Sequence, residues 1–300
     1  MKKIWGLILS VLFALSYAGP ASALDLDAVR LALLNQGAGW RAANTSMSRL
    51  TSKERLTRLG LSIRSHDRDI PEDPLAFVTF GEDLPSRFDW RDFDAVSPVV
   101  DQGNCGSCWA FAIVAALEST LLVEGFAMQD LSEQFLVSYS LLNRGCRGGS
   151  LWTAAGFAKR IGTVEETCLP YRADGRKFPP PCPEWPTDRT GAVAWHHIPR
   201  SIGDLKAAVY EGPVAAGFYV HEDFYFYQRG IYSHVTGDPV GGHAVLIVGW
   251  DDEEQCFIAK NSWGPEWGES GFFRIAYTEV SNEVAFGSDA VLLLGIWSAS

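Results

Sequence analysis

Residues 102–111 read QGNCGSCWAF. Two of the chain's six cysteines, Cys105 and Cys108, stand three positions apart in it, and what that spacing means decides the fold. Three chemistries fit: a redox dithiol, half of a zinc site, or one cross-linking cysteine beside one nucleophile. The following run, CWAFAIVAALESTLLVEG, is apolar on nearly every face, the pattern of a buried helix. Ser107 is placed to cap that helix, which should run from about Cys108 to Glu124 and stop at Gly125. Cys108 then lies in the first turn, where aligned peptide dipoles favour an anion. A cysteine on an apolar helix, taken alone, reads more readily as a small buried hydrophobe.

The compartment bears on all three chemistries. The chain opens MKKIWGLILSVLFALSYAGPASA, a basic start, an apolar run from Ile4 to Ala18 and a small-residue triplet, Ala21-Ser22-Ala23. That order predicts a secretory signal peptide over residues 1–23, cleaved after Ala23. The apolar run is shorter than the ~20 residues that span a bilayer. An exported, soluble protein follows, in a secreted, periplasmic or lysosomal-type compartment, with all six cysteines where disulfides are permitted.

With 47% hydrophobic residues, 29 glycines and 11 tryptophans in 300 residues, the chain can bury at least one large core. The formal charge of -11 is concentrated beyond residue 84. An acidic body without a basic stripe argues against nucleic acid as a partner.

From Leu24 to about Asp83 the sequence is polar, with helix-like patches; Thr51-Ser52-Lys53-Glu54 reads as a capping box for a short helix ending before Gly60. Pro71, Pro74 and Pro85 make the next stretch an extended connector. Helical signals then dominate to about residue 190, with a second helix starting near Ser132. Short β-rich runs follow, VAAGFYV, HAVLIVGW, CFIAKN and GFFRIAY, separated by turns. A helical half of about 84–190 preceding a strand-rich half of about 191–300 is an α+β arrangement, and ligand clefts favour such junctions.

Residue context narrows the three chemistries without closing the choice. No small βαβ unit surrounds the cysteines, as a redox dithiol would want, and Cys146 has no partner at two to four positions to complete a zinc site. Cys105-Gly106-Ser107-Cys108-Trp109 resembles the papain and cathepsin signature, which expects a histidine ~130 to 150 residues downstream. His243 falls in that window. GGHAVLIVGW and KNSWGPEWGESGFFRI resemble that family's histidine and asparagine blocks, and GCRGG at 145–149 its glycine-rich substrate strip. The chain from about residue 84 onward is therefore identified as similar to the papain-like cysteine peptidases, whose fold sets a helical left domain against an antiparallel β-barrel-like right domain, with the active-site cleft between them.

The resemblance implies Cys108 as nucleophile, His243 as its general base and later acid, and Asn261 as the residue orienting the imidazole. Gln102 would form an oxyanion hole with the backbone N–H of Cys108, and Trp263 would shield the bond between Asn261 and His243. Gly148, Gly149, Leu151, Gly217, Gly242, Trp267 and Asp289 would contact substrate, with Asp289 at the bottom of the S2 pocket and Leu151 and Gly217 on its walls. A carboxylate there would accept Arg at P2 as well as apolar residues. Papain-type thiols titrate near ~3 to 4 against ~8.5 for a free one, worth roughly 6 to 7 kcal/mol. A helix N-terminus supplies at most ~2 kcal/mol, so most must come from a paired imidazolium.

The resemblance further implies a Cys105–Cys146 disulfide; Cys168 and Cys182 would pair with each other, leaving Cys256 as a buried free thiol. The chain departs from the family at Tyr139, where a cysteine is expected, and at Gly237 and Val284, which replace another pair. Residues 24–83 look like a short, cathepsin B-like inhibitory propeptide; the alternative is a structural extension. Cathepsin B-like exopeptidases carry paired histidines on an insertion blocking the cleft. Residues 168–182 hold no histidine, and His196-His197 comes later, so an endopeptidase is expected. No cofactor and no metal are called for. The implied partners are protein or peptide substrates, the chain's own propeptide and cystatin-like inhibitors, with no membrane association and a monomeric state. A catalytically dead binding protein of papain shape would usually have lost the nucleophile, yet Cys108, His243 and Asn261 are all present.

Overall fold

The computed structural model describes residues 24–63 and 84–299. The expected signal peptide and much of the proline-broken connector lie outside them. Six helices are described: α1 (Leu26–Gln36), α2 (Ser52–Thr57), α3 (Cys108–Val123), α4 (Glu133–Tyr139), α5 (Leu151–Arg160) and α6 (Ile202–Glu211). The strands are β1 (Trp40–Ala42), β2 (Arg87–Asp89), β3 (Arg189–His197), β4 (Val214–His221), β5 (Tyr227–Tyr232), β6 (Pro239–Asp251), β7 (Cys256–Lys260), β8 (Phe272–Ala276) and β9 (Ser288–Ala299). The fold is α+β, as expected.

Local signals read from sequence hold in several places. Thr51 and Glu54 form a reciprocal capping box at the start of α2, and the Ser132 side chain accepts the N–H of Phe135 at the start of α4. α3 is buried along nearly its whole length because its sequence has no polar face to turn outward. Ser107 departs from expectation. It precedes α3 but makes no side-chain cap; its hydroxyl instead lies 2.7 Å from the hydroxyl of Tyr171.

The strands run in the order β1-β5-β8-β7-β6-β4-β9-β3, with β2 on β6. All pairs are antiparallel except β5 with β8. Among the elements that the sequence does not announce, α6 lies inside the strand-rich half, and β1 adds the N-terminal segment to β5 through Trp40, Arg41 and Ala42.

Two apolar clusters form. One gathers α3, α4 and α5 against one face of β6 and β9, and the other fills the strand-rich half. Val29, Leu33, Trp40 and Met47 of the N-terminal segment belong to the second, while Leu61 belongs to the first. The segment is therefore packed into both cores rather than appended to them. Between the cores runs a buried relay: Lys260 Nζ donates to Ser97 Oγ at 2.8 Å, and Ser97 Oγ donates to Glu118 at 2.5 Å. It ties the end of β7 to α3.

Candidate active site

Cys108 opens α3 and is fully buried. The neighbouring cysteine is already committed: Cys105 is bonded to Cys146 and Cys168 to Cys182, with Cys108 and Cys256 free. This excludes a Cys105–Cys108 dithiol. The Cys105–Cys146 bond holds the loop before α3 against the glycine strip, where Gly106 N–H donates to the carbonyl of Cys146.

His243 lies on β6 and Asn261 directly follows β7, its pairing partner in the sheet. Their side chains meet at 2.7 Å between Nε2 and Oδ1. Asn261 Oδ1 also accepts the N–H of Ser262. An amide oxygen can only accept, so Nε2 carries the imidazole proton and Nδ1 is left as the basic nitrogen. Nδ1 makes no hydrogen bond. The Trp263 ring lies over the imidazole at 4.7 Å between centroids, and Trp267 stands edge-on behind Trp263 at 5.1 Å. Sequence placed Trp267 against substrate; the structure buries it fully between Trp263, Phe224 and Tyr227, where it backs the indole instead.

Gln102 is held from three sides. Its Oε1 accepts from Ser262 Oγ at 2.7 Å, its carbonyl accepts from Tyr171 Oη at 2.7 Å, and its Nε2 donates to the carbonyls of Cys105 and Arg58. Ser262 lies inside the asparagine block without being singled out there, and Tyr171 carries no sequence signal as a site residue. Tyr171 lies on the loop that the Cys168–Cys182 disulfide closes, far from Gln102 in sequence.

The N-terminal segment occupies the cleft. Leu61 N–H donates to Gly242 O at 3.0 Å, Ser62 N–H to Gly149 O at 2.8 Å, and Gly149 N–H to Gly60 O at 2.8 Å. Leu61 pairs parallel with Gly149 and antiparallel with Gly242. Its side chain reaches the position a β-carbon on Gly217 would take, 2.3 Å from Cδ2, and it shares an apolar cluster with fully buried Leu151. Gly148, Gly149, Gly217 and Gly242 thus converge on one five-residue stretch. Asp289 is half-buried at φ 50°; across the β4–β9 pair it is Ser288 that faces Gly217.

Covering the cleft changes its electrostatics. Burial pushes the Cys108 thiol up to about 11, although the N–H groups of Ala244, Gly60 and Trp109 pull the other way. Burial likewise pushes the His243 imidazole down to about 4, against the bond to Asn261. Each group is therefore held neutral over a wide range, because removing water penalises the charged form. The imidazolium–thiolate pair expected from sequence is disfavoured in this covered cleft.

A family profile described as papain family cysteine protease matches residues 84–293. The chain belongs to the papain family of cysteine proteases. It is 36% identical over 219 residues to Cathepsin B-like CP2 of Giardia intestinalis, covering 67% of this chain and 72% of that one. Against Cathepsin B-like CP3 of the same organism it is 32% identical over 250 residues, covering 79% and 83%. Among solved structures, procathepsin B S9 of Trypanosoma congolense superposes with a TM-score of 0.78 at 25% identity, covering 93% of this chain and 99% of that one. Digestive procathepsin L 3 of the Tenebrio molitor larval midgut gives a TM-score of 0.74 at 28% identity, covering 90% and 88%. Both of these structures are proforms, and their match extends across the N-terminal segment. The chain is a cathepsin B-like cysteine peptidase in zymogen form, with its own prosegment as inhibitor. Among the described residues no helix is long and apolar enough to cross a membrane.

Proposed function

We propose that the chain is an exported cysteine endopeptidase whose residues 1–23 are a signal peptide, whose residues 24–83 are the inhibitory prosegment, and whose mature enzyme begins near residue 84. One observation carries the reading: the stretch from Arg58 to Ser62 runs through the cleft with Gly60 over Cys108. The Gly60 carbonyl bonds to Gly149 N–H, whereas the Gln102 amide is taken by the Arg58 carbonyl. The peptide lying on the thiol is thus not the one whose oxygen the oxyanion donor holds, and attack on it is unsupported.

With the cleft open, His243 Nδ1 takes the Cys108 proton and the thiolate adds to the substrate carbonyl. Gln102 Nε2 and the Cys108 N–H receive the oxyanion. The imidazolium then protonates the leaving amine, a thioester forms, and water activated by His243 releases the acid. Asn261 keeps the ring in the tautomer this needs. The apolar pocket bounded by Gly217 and Leu151, filled here by Leu61, is the proposed P2 site, and Asp289, which follows Ser288 in the chain, is the proposed source of Arg acceptance.

The test compares turnover of fluorogenic peptides carrying Arg or Phe at P2 by the processed wild type, Cys108→Ala and Asp289→Ala. Turnover abolished by Cys108→Ala supports the nucleophile, and turnover that persists in it overturns the mechanism. A fall in the Arg-to-Phe ratio in Asp289→Ala supports the pocket assignment, and an unchanged ratio removes it.

A further inference from the structure

We propose that His221, His234 and Glu283, remote from Cys108 in the sequence and unused by the peptidase mechanism, form a binding site for a divalent transition metal of the zinc class. His221 ends β4, His234 follows β5, and Glu283 lies ahead of β9. One donor atom from each falls within 4.8 Å of the others. The two imidazole rings lie 3.8 Å apart between centroids.

Each ring has one nitrogen engaged by a neighbouring oxygen, which leaves the other available as a ligand. His221 Nδ1 faces the carbonyl of Gly237 at 3.4 Å, which leaves Nε2 buried with no hydrogen-bond partner although the residue is 1% exposed. His234 Nδ1 faces both oxygens of Asp223 at 3.2 Å, and its Nε2 lies 3.7 Å from Glu283 Oε1. Asp223 is itself fixed by Tyr232 Oη and the N–H groups of Val235 and Thr236. A carbonyl behind one imidazole and a carboxylate behind the other is how metal-bound histidines are commonly oriented.

Charge points the same way. The carboxylates of Asp223 and Glu283 both face the His234 ring. Two imidazoles with one carboxylate suit zinc, and its tetrahedral bonds of ~2.0–2.2 Å need donors about 3.3 Å apart. The Glu283 side chain is 69% exposed, so it can close that distance and leave a fourth position to water. Loop carbonyls beside the cluster, Ser233 and Val235, accept from Trp40 and Gln36 of the prosegment. A bound metal would therefore stiffen the surface on which the prosegment docks.

The experiment titrates Zn2+ into the tag-free, full-length Cys108→Ala proform by calorimetry, with Co2+ absorption as a report on ligand geometry. The Cys108→Ala background removes the catalytic thiol as a competing ligand. The expected result is one ion per chain, a rise in melting temperature with zinc, and affinity weakened about tenfold or more in Glu283→Gln and in His234→Gln. Glu283→Gln alters an exposed side chain and keeps the comparison valid should the His234 variant fold poorly. Absence of binding in the Cys108→Ala proform, or undiminished affinity in Glu283→Gln, overturns the proposal.

Discussion

Gly60 of the prosegment lies flush against Gly106 of the cysteine loop: a β-carbon on Gly60 would stand 1.9 Å from the Gly106 carbonyl oxygen. Backbone cannot yield as a flexible side chain can, so only glycine passes over the thiol at this depth. Gly60→Ala in the full-length proform should loosen cleft docking by about 10- to 100-fold, equivalent to the 1–3 kcal/mol that overpacking typically costs. The readout is Cys108 alkylation by iodoacetamide at pH 6, which should accelerate. An unchanged rate would mean that the segment passes the thiol at greater distance.

The covered and uncovered sites should differ in how that alkylation depends on pH. In the proform the thiol, pushed up to about 11, should react faster as pH rises through the neutral and alkaline range. Once the prosegment is removed, water and an imidazolium can reach the thiol, and reaction at pH 6 should become fast. His243→Ala should sharply slow only the processed form at that pH. Equal slowing of both forms would show that the pair is already ionised under the prosegment.

Ser262 Oγ donates to Gln102 Oε1 and so aims the amide N–H groups. Ser262→Ala should lower kcat with little change in KM, by less than the ~100- to 1,000-fold expected when an oxyanion donor is removed outright, as in Gln102→Ala. A KM effect alone would place Ser262 in substrate binding instead.

Burial pushes the Glu166 carboxyl up to about 7, against the hydrogen bond it accepts from Tyr171 N–H. A carboxyl whose folded pKa is raised holds its proton more tightly in the folded state. Its contribution to stability is fully present below about 4.5, the unfolded value, and is lost as pH rises through about 7. Melting temperature should therefore decline across that window more steeply in the wild type than in Glu166→Gln. Parallel curves would remove Glu166 as the source.

Lys260→Met would leave Glu118 buried without its cation partner. The two charges meet through Ser97 rather than directly, so the loss should stay below the ~3–5 kcal/mol of a broken direct buried pair, read by chemical denaturation of the Cys108→Ala proform. Because Lys260 precedes Asn261 and Glu118 sits on α3, activity of processed Lys260→Met with Cys108 intact should fall further than the fraction unfolded explains, and a fall matching the fraction unfolded would remove the link to the site.

Much of the candidate site is legible in the sequence because it is written locally. The CGSCW stretch, the apolar run of α3, the GGH and KNSWG blocks and the Thr51–Glu54 capping box are short patterns whose meaning depends on neighbours a few residues away. Ser107 does not cap α3 because its hydroxyl pairs instead with that of Tyr171, a partner distant in sequence.

The sequence by itself determined the helix that carries Cys108, the runs that become β4, β6, β7 and β8, and the side chains available for peptide hydrolysis. Only the tertiary structure decided that Leu61 fills the pocket beside Gly217, that Trp267 backs Trp263 rather than facing the cleft, and that Tyr171 and Ser262 hold Gln102. It also brought His221, His234 and Glu283 together. The physical reason is range: periodicity and capping act within a few residues, whereas burial and pairing join segments that no local pattern relates.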